Sequence, residues 1–166
     1  VKVAVKGKIG KYSFTQTIRL TQGEPRIDMS VKLDWTGNPR IGEPGIEFRA
    51  DNPRKSFYDD RYKLLVYLPI QIANQQIYKD APFDVCESRL ENTFFNRWDS
   101  IKHNIILNWV DVTSKDNSCG LSLFTDHTTS YAHGKDFPLA LNVQYAGKGL
   151  WGRDYIIDRP TEISYA

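Results

Sequence analysis

Ser122, Cys119, His127 and Asp126 are close together in the chain and are of the types that nucleophilic catalysis uses. That chemistry needs a hydroxyl or thiol beside a His base, with a third group to orient the base. No Gly-x-Ser-x-Gly elbow is present to lift a Ser out of a strand. Adjacent side chains on one strand also point to opposite faces, so these residues do not read as a triad. Asp126, His127 and His133 carry metal-ligating atoms, but an Asp-His pair with one further His six residues on is a sparse donor set. The pattern fits a polar loop whose His and Asp hydrogen-bond, and no metal ligand is assigned.

Paired carboxylates are the third option. Glycoside hydrolysis with retention needs two carboxyl groups roughly 5–5.5 Å apart. Glu87 and Glu91 share one face of an expected strand, with Arg89 between them. At a rise of about 3.3 Å per residue their backbones lie about 13 Å apart, too far for that geometry. Arg89 would also hold both ionised, which is wrong for a general acid. They read as a charge ladder on a strand face, and no catalytic residue is assigned.

Aromatic residues are abundant: four Trp, nine Tyr and eight Phe. Sugars bind through apolar ring faces laid on aromatics, fixed by a few polar groups. Trp98, Trp109, Trp151 and Tyr155 suit that role, although most aromatics of an all-β chain fill its core. Trp35 and Trp109 end or lie within alternating runs and are expected in the core.

The elements that must position these residues are strands. Ile27, Met29, Val31, Leu33 and Trp35 alternate with Asp28, Ser30, Lys32 and Asp34, giving one apolar and one charged face. Val1, Val3 and Val5 alternate with Lys2 and Lys6, and Tyr12, Phe14, Ile18 and Leu20 share a parity. Residues 64–72 form a run with apolar residues on both faces, expected to be covered on both sides. Further strands are expected over 105–110, 120–124, 139–145 and 162–165. Turn signals fall at Gln22-Gly23-Glu24-Pro25, Thr36-Gly37-Asn38-Pro39, Asp116-Asn117-Ser118 and Gly147-Lys148-Gly149. The best helical attempt, over 41–50, is broken by Gly42, Pro44 and Gly45. The polar stretch 50–62 reads as a long loop or an extended excursion. No repeat or linker divides the chain, so residues 1–166 are expected to form one β-sandwich domain.

Composition agrees with a folded domain. The chain has 166 residues, 40% hydrophobic, enough for a core. Its net charge of +2 is too balanced for nucleic acid or an anionic membrane as main partner. No apolar stretch approaches the roughly 20 residues that cross a bilayer, so a soluble chain is expected. Cys86 and Cys119 read as small buried thiols; their spacing leaves a disulfide open. Both ends look like strands cut from a longer chain.

One continuous pattern resembles a known family. It runs through Ala81-Pro82-Phe83-Asp84-Val85, Arg89 and Glu91, then Asn108-Trp109-Val110-Asp111-Val112-Thr113, then Gly120-Leu121-Ser122-Leu123-Phe124-Thr125-Asp126. This resembles the C-terminal region of glycoside hydrolase family 38 α-mannosidases, where a Pro-Phe-Gly strand leads to a Trp-x-Asp-Val-Ser/Thr segment and a Gly-headed strand ending in a polar loop. Pro25-Arg26-Ile27-Asp28 and Asp34-Trp35 also fit. Asp84 stands where Gly is common. The resemblance implies an antiparallel supersandwich of the galactose mutarotase class, forming part of a larger enzyme. It implies a parent that is a zinc-dependent, retaining α-mannosidase with an Asp nucleophile. Nucleophile and zinc ligands would lie in an N-terminal catalytic domain of the same chain, which nothing here resembles. This segment would then pack on that domain and lend loop residues to the pocket. Asp126, His127, Thr128 and Thr129, in the loop 125–131, are the expected substrate contacts. The expected partners are an α-mannoside or other carbohydrate and the catalytic domain, or a homo-oligomer for the chain alone. The alternative is a stand-alone carbohydrate-binding module without hydrolytic activity.

Overall fold

The computed structural model describes residues 1–37, 63–70, 72–89, 101–134, 137–145, 157 and 159–166. Among these, alternation becomes strands throughout and no helix forms. The strands β1 (Lys2–Ile9) and β2 (Tyr12–Leu20) meet in a two-residue turn, where Gly10 takes the left-handed φ of +59° that such a turn requires. Two more strands, β3 (Ile27–Asp34) and β12 (Thr161–Tyr165), complete a sheet of order β1-β2-β3-β12.

A second sheet has β4 (Lys63–Leu68), β11 (Phe137–Tyr145), β10 (Thr129–Gly134) and β7 (Ile101–Ile106), in the order β4-β11-β10-β7. In the third, β6 (Asp84–Glu87), β5 (Gln75–Ala81), β8 (Trp109–Ser114) and β9 (Gly120–Phe124) run in the order β6-β5-β8-β9. Every pairing is antiparallel.

All three sheets bury residues in one core. Val31, Leu33 and Ile163 come from the first, Ile106, Leu139 and Leu141 from the second, and Val110, Val112 and Leu123 from the third. Burial of each such side chain stabilises the fold by about 1.5–3 kcal/mol. The architecture is the expected all-β sandwich. The first and third sheets also join at an edge. Thr125 bridges Tyr165, and Phe124 and Ala166 exchange backbone hydrogen bonds of 2.9 and 3.0 Å. Their outer faces therefore continue into one another.

Local sequence explains the register. In β3, Val31 and Leu33 are buried while Lys32 and Asp34 are exposed, as the alternation predicts. Between β1 and β2, Gly7 faces Phe14, and a Cβ built on Gly7 would lie 2.6 Å from the Phe14 ring. The glycine lets that ring lie flat across the neighbouring strand and reach the core. Between β8 and β9, Asp116 accepts from the Ser114 and Ser118 hydroxyls at 2.6 and 2.8 Å, and Asn117 takes φ +57°. This is the turn expected at 116–118.

Several expectations are corrected. The strand expected over 105–110 is two strands of different sheets, broken at Leu107-Asn108 because the Asp80 carboxylate captures both backbone amides, at 2.9 and 2.6 Å. The run 64–72 leaves strand geometry after Leu68, where Pro69 follows. Its Tyr67 is exposed, while Lys63 and Leu65 on the same face are buried and half-buried, so that face is covered at its start and open at Tyr67. Pro82-Phe83 is a hairpin turn rather than part of a strand, with Phe83 at φ +68° and fully exposed. Trp35 is half-buried, packs on the core edge and donates to Thr161 Oγ1 at 2.7 Å. Trp109 is half-buried and lies outside the core cluster, on the outer side of β8. Cys86 is half-buried and Cys119 exposed, and both are free thiols. Glu91, Trp98, Trp151, Tyr155 and the stretches 38–62 and 147–149 lie outside the described residues.

Candidate functional site

Asp126, His127 and Thr128 form the turn that carries the chain from β9 into β10, and all three are exposed. The turn is tied down from both sides. Thr125 donates through its amide to Asn108 O at 2.7 Å, and through its hydroxyl to Asn108 O and His127 O at 3.2 and 3.0 Å. The Asp126 amide donates to Ser164 O at 3.1 Å, while Asp126 Oδ2 accepts from the Ser164 amide at 3.0 Å. Asp126 Oδ1 then accepts from His127 Nδ1 at 2.5 Å. With Nδ1 committed to the carboxylate, the ring leaves Nε2 as its remaining hydrogen-bonding nitrogen. The His127 side chain is 51% exposed, so that nitrogen is reachable from solvent.

The expected loop 125–131 is shorter than its polar composition suggested. Thr129 opens β10 and donates its hydroxyl to Asn142 O at 2.7 Å. Ser130 is buried and accepts from Asn142 Nδ2 at 3.1 Å. Of the four expected substrate contacts, Asp126, His127 and Thr128 therefore face outward, and the Thr129 hydroxyl is spent within the sheet. The groups considered for other chemistry are scattered. Ser122 Oγ donates to Asp111 Oδ1 at 2.5 Å rather than to a histidine. Arg89 pairs with Glu87 at 3.2 Å just beyond the end of β6. His133 is buried and bonds Gln75 Oε1 at 2.6 Å. No group of three His, Cys, Asp or Glu that could hold a metal ion occurs among the described residues, so these residues offer zinc no donor set.

Beside Asp126 lies an open groove of about 600 Å³. Its walls are Phe124 and Asp126 on one side and the outer face of the first sheet, with Arg19, Asp28, Ser164 and Glu162, on the other. Sequence reasoning missed this partnership, because Arg19, Asp28 and Asp126 meet only through the edge joint between β9 and β12. The one available signal was the position of Arg19 and Asp28 on the polar parity of their strands.

A second polar cluster is buried. Burial pushes the Tyr131 phenol up to about 12; Ser88 and Asn104 beside it counteract the rise without satisfying the hydroxyl by geometry. Burial also lowers the pKa of His133, whose Nδ1 has no hydrogen-bond partner among the described residues. The unfolded chain takes up a proton on His133 below about pH 6.5, whereas the folded chain resists it. Stability is therefore full above that pH and falls as the pH drops toward the folded-state pKa, by at most about 1.4 kcal/mol per pH unit for one proton. Urea unfolding at pH 7, 6 and 5 should show this decline, and His133→Gln should flatten it. An unchanged slope in the variant would refute the assignment. Asp116, held at about 2 by the Ser114 and Ser118 hydroxyls, titrates in a separate window and loses its stabilising effect only between about pH 4 and 2.

The family model described as Glycosyl hydrolases family 38 C-terminal domain matches residues 1–142. No curated protein and no solved structure matches the chain.

Proposed function

Because a family model covers residues 1–142, the chain belongs to the glycosyl hydrolases family 38 C-terminal domain family, and on that premise we propose that it is the non-catalytic β-sandwich of an α-mannosidase. Its parent hydrolyses α-mannosides using zinc and a nucleophile supplied by another domain of the same chain. Bound there, zinc supplies Lewis-acid stabilisation to the reacting sugar. The residues here pack on that domain and place the Asp126–His127–Thr128 turn at the edge of its pocket.

The observation that carries the reading is the construction of that turn. It is fixed at both ends by backbone hydrogen bonds, yet it exposes a carboxylate-oriented imidazole and a hydroxyl. Sugar hydroxyls are met by acceptors and donors of this kind. Packing on a neighbour is supported by apolar surface. Val3, Val5, Leu20 and Ile27 are exposed on one face of the first sheet, and Phe83 stands at a hairpin tip in a backbone conformation costly for a bulky residue. The charges around the turn also argue against a purely protein-facing role there, since interface cores are depleted of charge.

Full-length protein should hydrolyse aryl α-mannosides and lose that activity on zinc chelation. The 166-residue chain alone should show no turnover with or without added zinc. Zinc-dependent hydrolysis by this chain alone would overturn the non-catalytic role. A full-length protein inactive on α-mannosides but retained by glycan would favour the binding-module alternative.

A further inference from the structure

The outer face of the third sheet carries residues that the turn does not use. Strand register sets them in two adjacent rows. One row runs Val85, Asp80, Trp109, Phe124, because Val85 pairs Asp80 and Trp109 pairs Phe124, with Asp80 and Trp109 on the same side of β5 and β8. Asp80 is occupied by the Leu107 and Asn108 amides, so this row presents apolar and aromatic surface; Phe124 is 52% exposed and Trp109 half-buried. The next row runs Glu87, Tyr78, Asp111, Ser122 and is polar throughout. Phe124 is also the first wall of the groove beside Asp126, which continues across the first sheet past Arg19, Asp28 and Glu162.

We infer that this outer face, from Trp109 across Phe124 into the groove beside Asp126, binds an extended glycan of several sugar units. The inference rests on the glycosidase reading of the parent and names the size of its substrate. A pyranose has an apolar face that stacks on an aromatic ring and a hydroxyl rim that takes hydrogen bonds, and an aromatic row bordered by carboxylates and hydroxyls complements both. A protein partner would have to desolvate Asp111, Glu87, Arg19, Asp28 and Glu162, which is costly without matched pairing. A glycan leaves those groups partly hydrated and hydrogen-bonded. From β8 to β1 the path crosses six strands, about 24 Å at the usual strand spacing, long enough for an oligosaccharide and far longer than one sugar.

The test uses full-length protein, a soluble α-mannan as extended probe and an aryl α-mannoside as single-sugar probe. Phe124→Ala and Trp109→Ala should each weaken α-mannan binding about tenfold, the loss of one stacking contact. Phe124→Tyr, which keeps the ring, should restore it. The aryl α-mannoside should be affected much less, because a single sugar at the pocket edge does not extend to Phe124 and Trp109. Should Phe124→Ala alter the thermal midpoint, Phe124→Ser, polar at an exposed position, serves in its place. Undiminished α-mannan binding in both alanine variants would overturn the inference, as would an equal loss on both probes. Absence of α-mannan binding by the unaltered protein would do the same. Failure of the parent reading is separately visible, as full-length protein that never turns over the aryl α-mannoside.

Discussion

Asp80→Ala is expected to remove about 3–5 kcal/mol of folding stability, from losing two hydrogen bonds to a charged acceptor and leaving two amides unpaired. The Asp80 side chain sits nearly buried at the corner where the chain leaves the second sheet for the third. Its two oxygens accept from the Leu107 and Asn108 amides. Alanine cannot replace either bond, and water reaches the corner poorly. Total stability of a domain is only about 5–15 kcal/mol, so the loss is severe. The effect extends beyond stability. Asn108 O holds the Thr125 amide and hydroxyl, and Thr125 in turn holds His127 O. Loosening the corner therefore loosens the candidate site. Asp80→Asn keeps one acceptor oxygen but turns an N–H against a donor, and should cost about half as much. Denaturant unfolding that gives less than about 1 kcal/mol for Asp80→Ala would show that the carboxylate does not set this corner.

His127→Ala in the full-length enzyme is expected to lower kcat/KM on α-mannosides by about 10- to 100-fold, the loss of one or two sugar hydrogen bonds. Stability should be unchanged, since the ring is half in solvent. The direction follows from the bonding of the turn. Asp126 fixes the ring through Nδ1 and is itself fixed by Ser164, so Nε2 is presented at a defined position. Asp126→Ala should reproduce much of the effect by freeing the ring, with an added loss at the β9–β12 joint. Wild-type kcat/KM in His127→Ala, with zinc content unchanged, would move the turn away from the substrate and leave this segment a structural role.

The sequence by itself determined the strands whose faces differ. In β3, hydrophobic and polar residues alternate without a break, and only one register buries Val31 and Leu33 while wetting Lys32 and Asp34. The expected boundaries of β9 match the strand observed, and β11 and β12 differ only at their first residues. The family was legible for a related reason: the order of its short motifs follows the order of these strands. The candidate turn was legible in part, because Asp126, His127 and Thr128 could be picked out by composition. Tertiary structure decided the rest. Strand β10, Thr129–Gly134, looks polar, yet Ser130 through Gly134 are all buried, and it lies inside its sheet between β11 and β7. Strand β5 carries a single buried aliphatic, Ile77, and is fixed by its pairing with β8 and by Asp80. The break at Leu107-Asn108 depends on a carboxylate 27 and 28 positions earlier, which no local periodicity reports. The groove likewise joins Arg19, Asp28 and Asp126 only after β9 and β12 meet edge to edge. Local alternation fixes which way a side chain points, whereas long-range hydrogen bonding fixes which strands meet, and the candidate site depends on both.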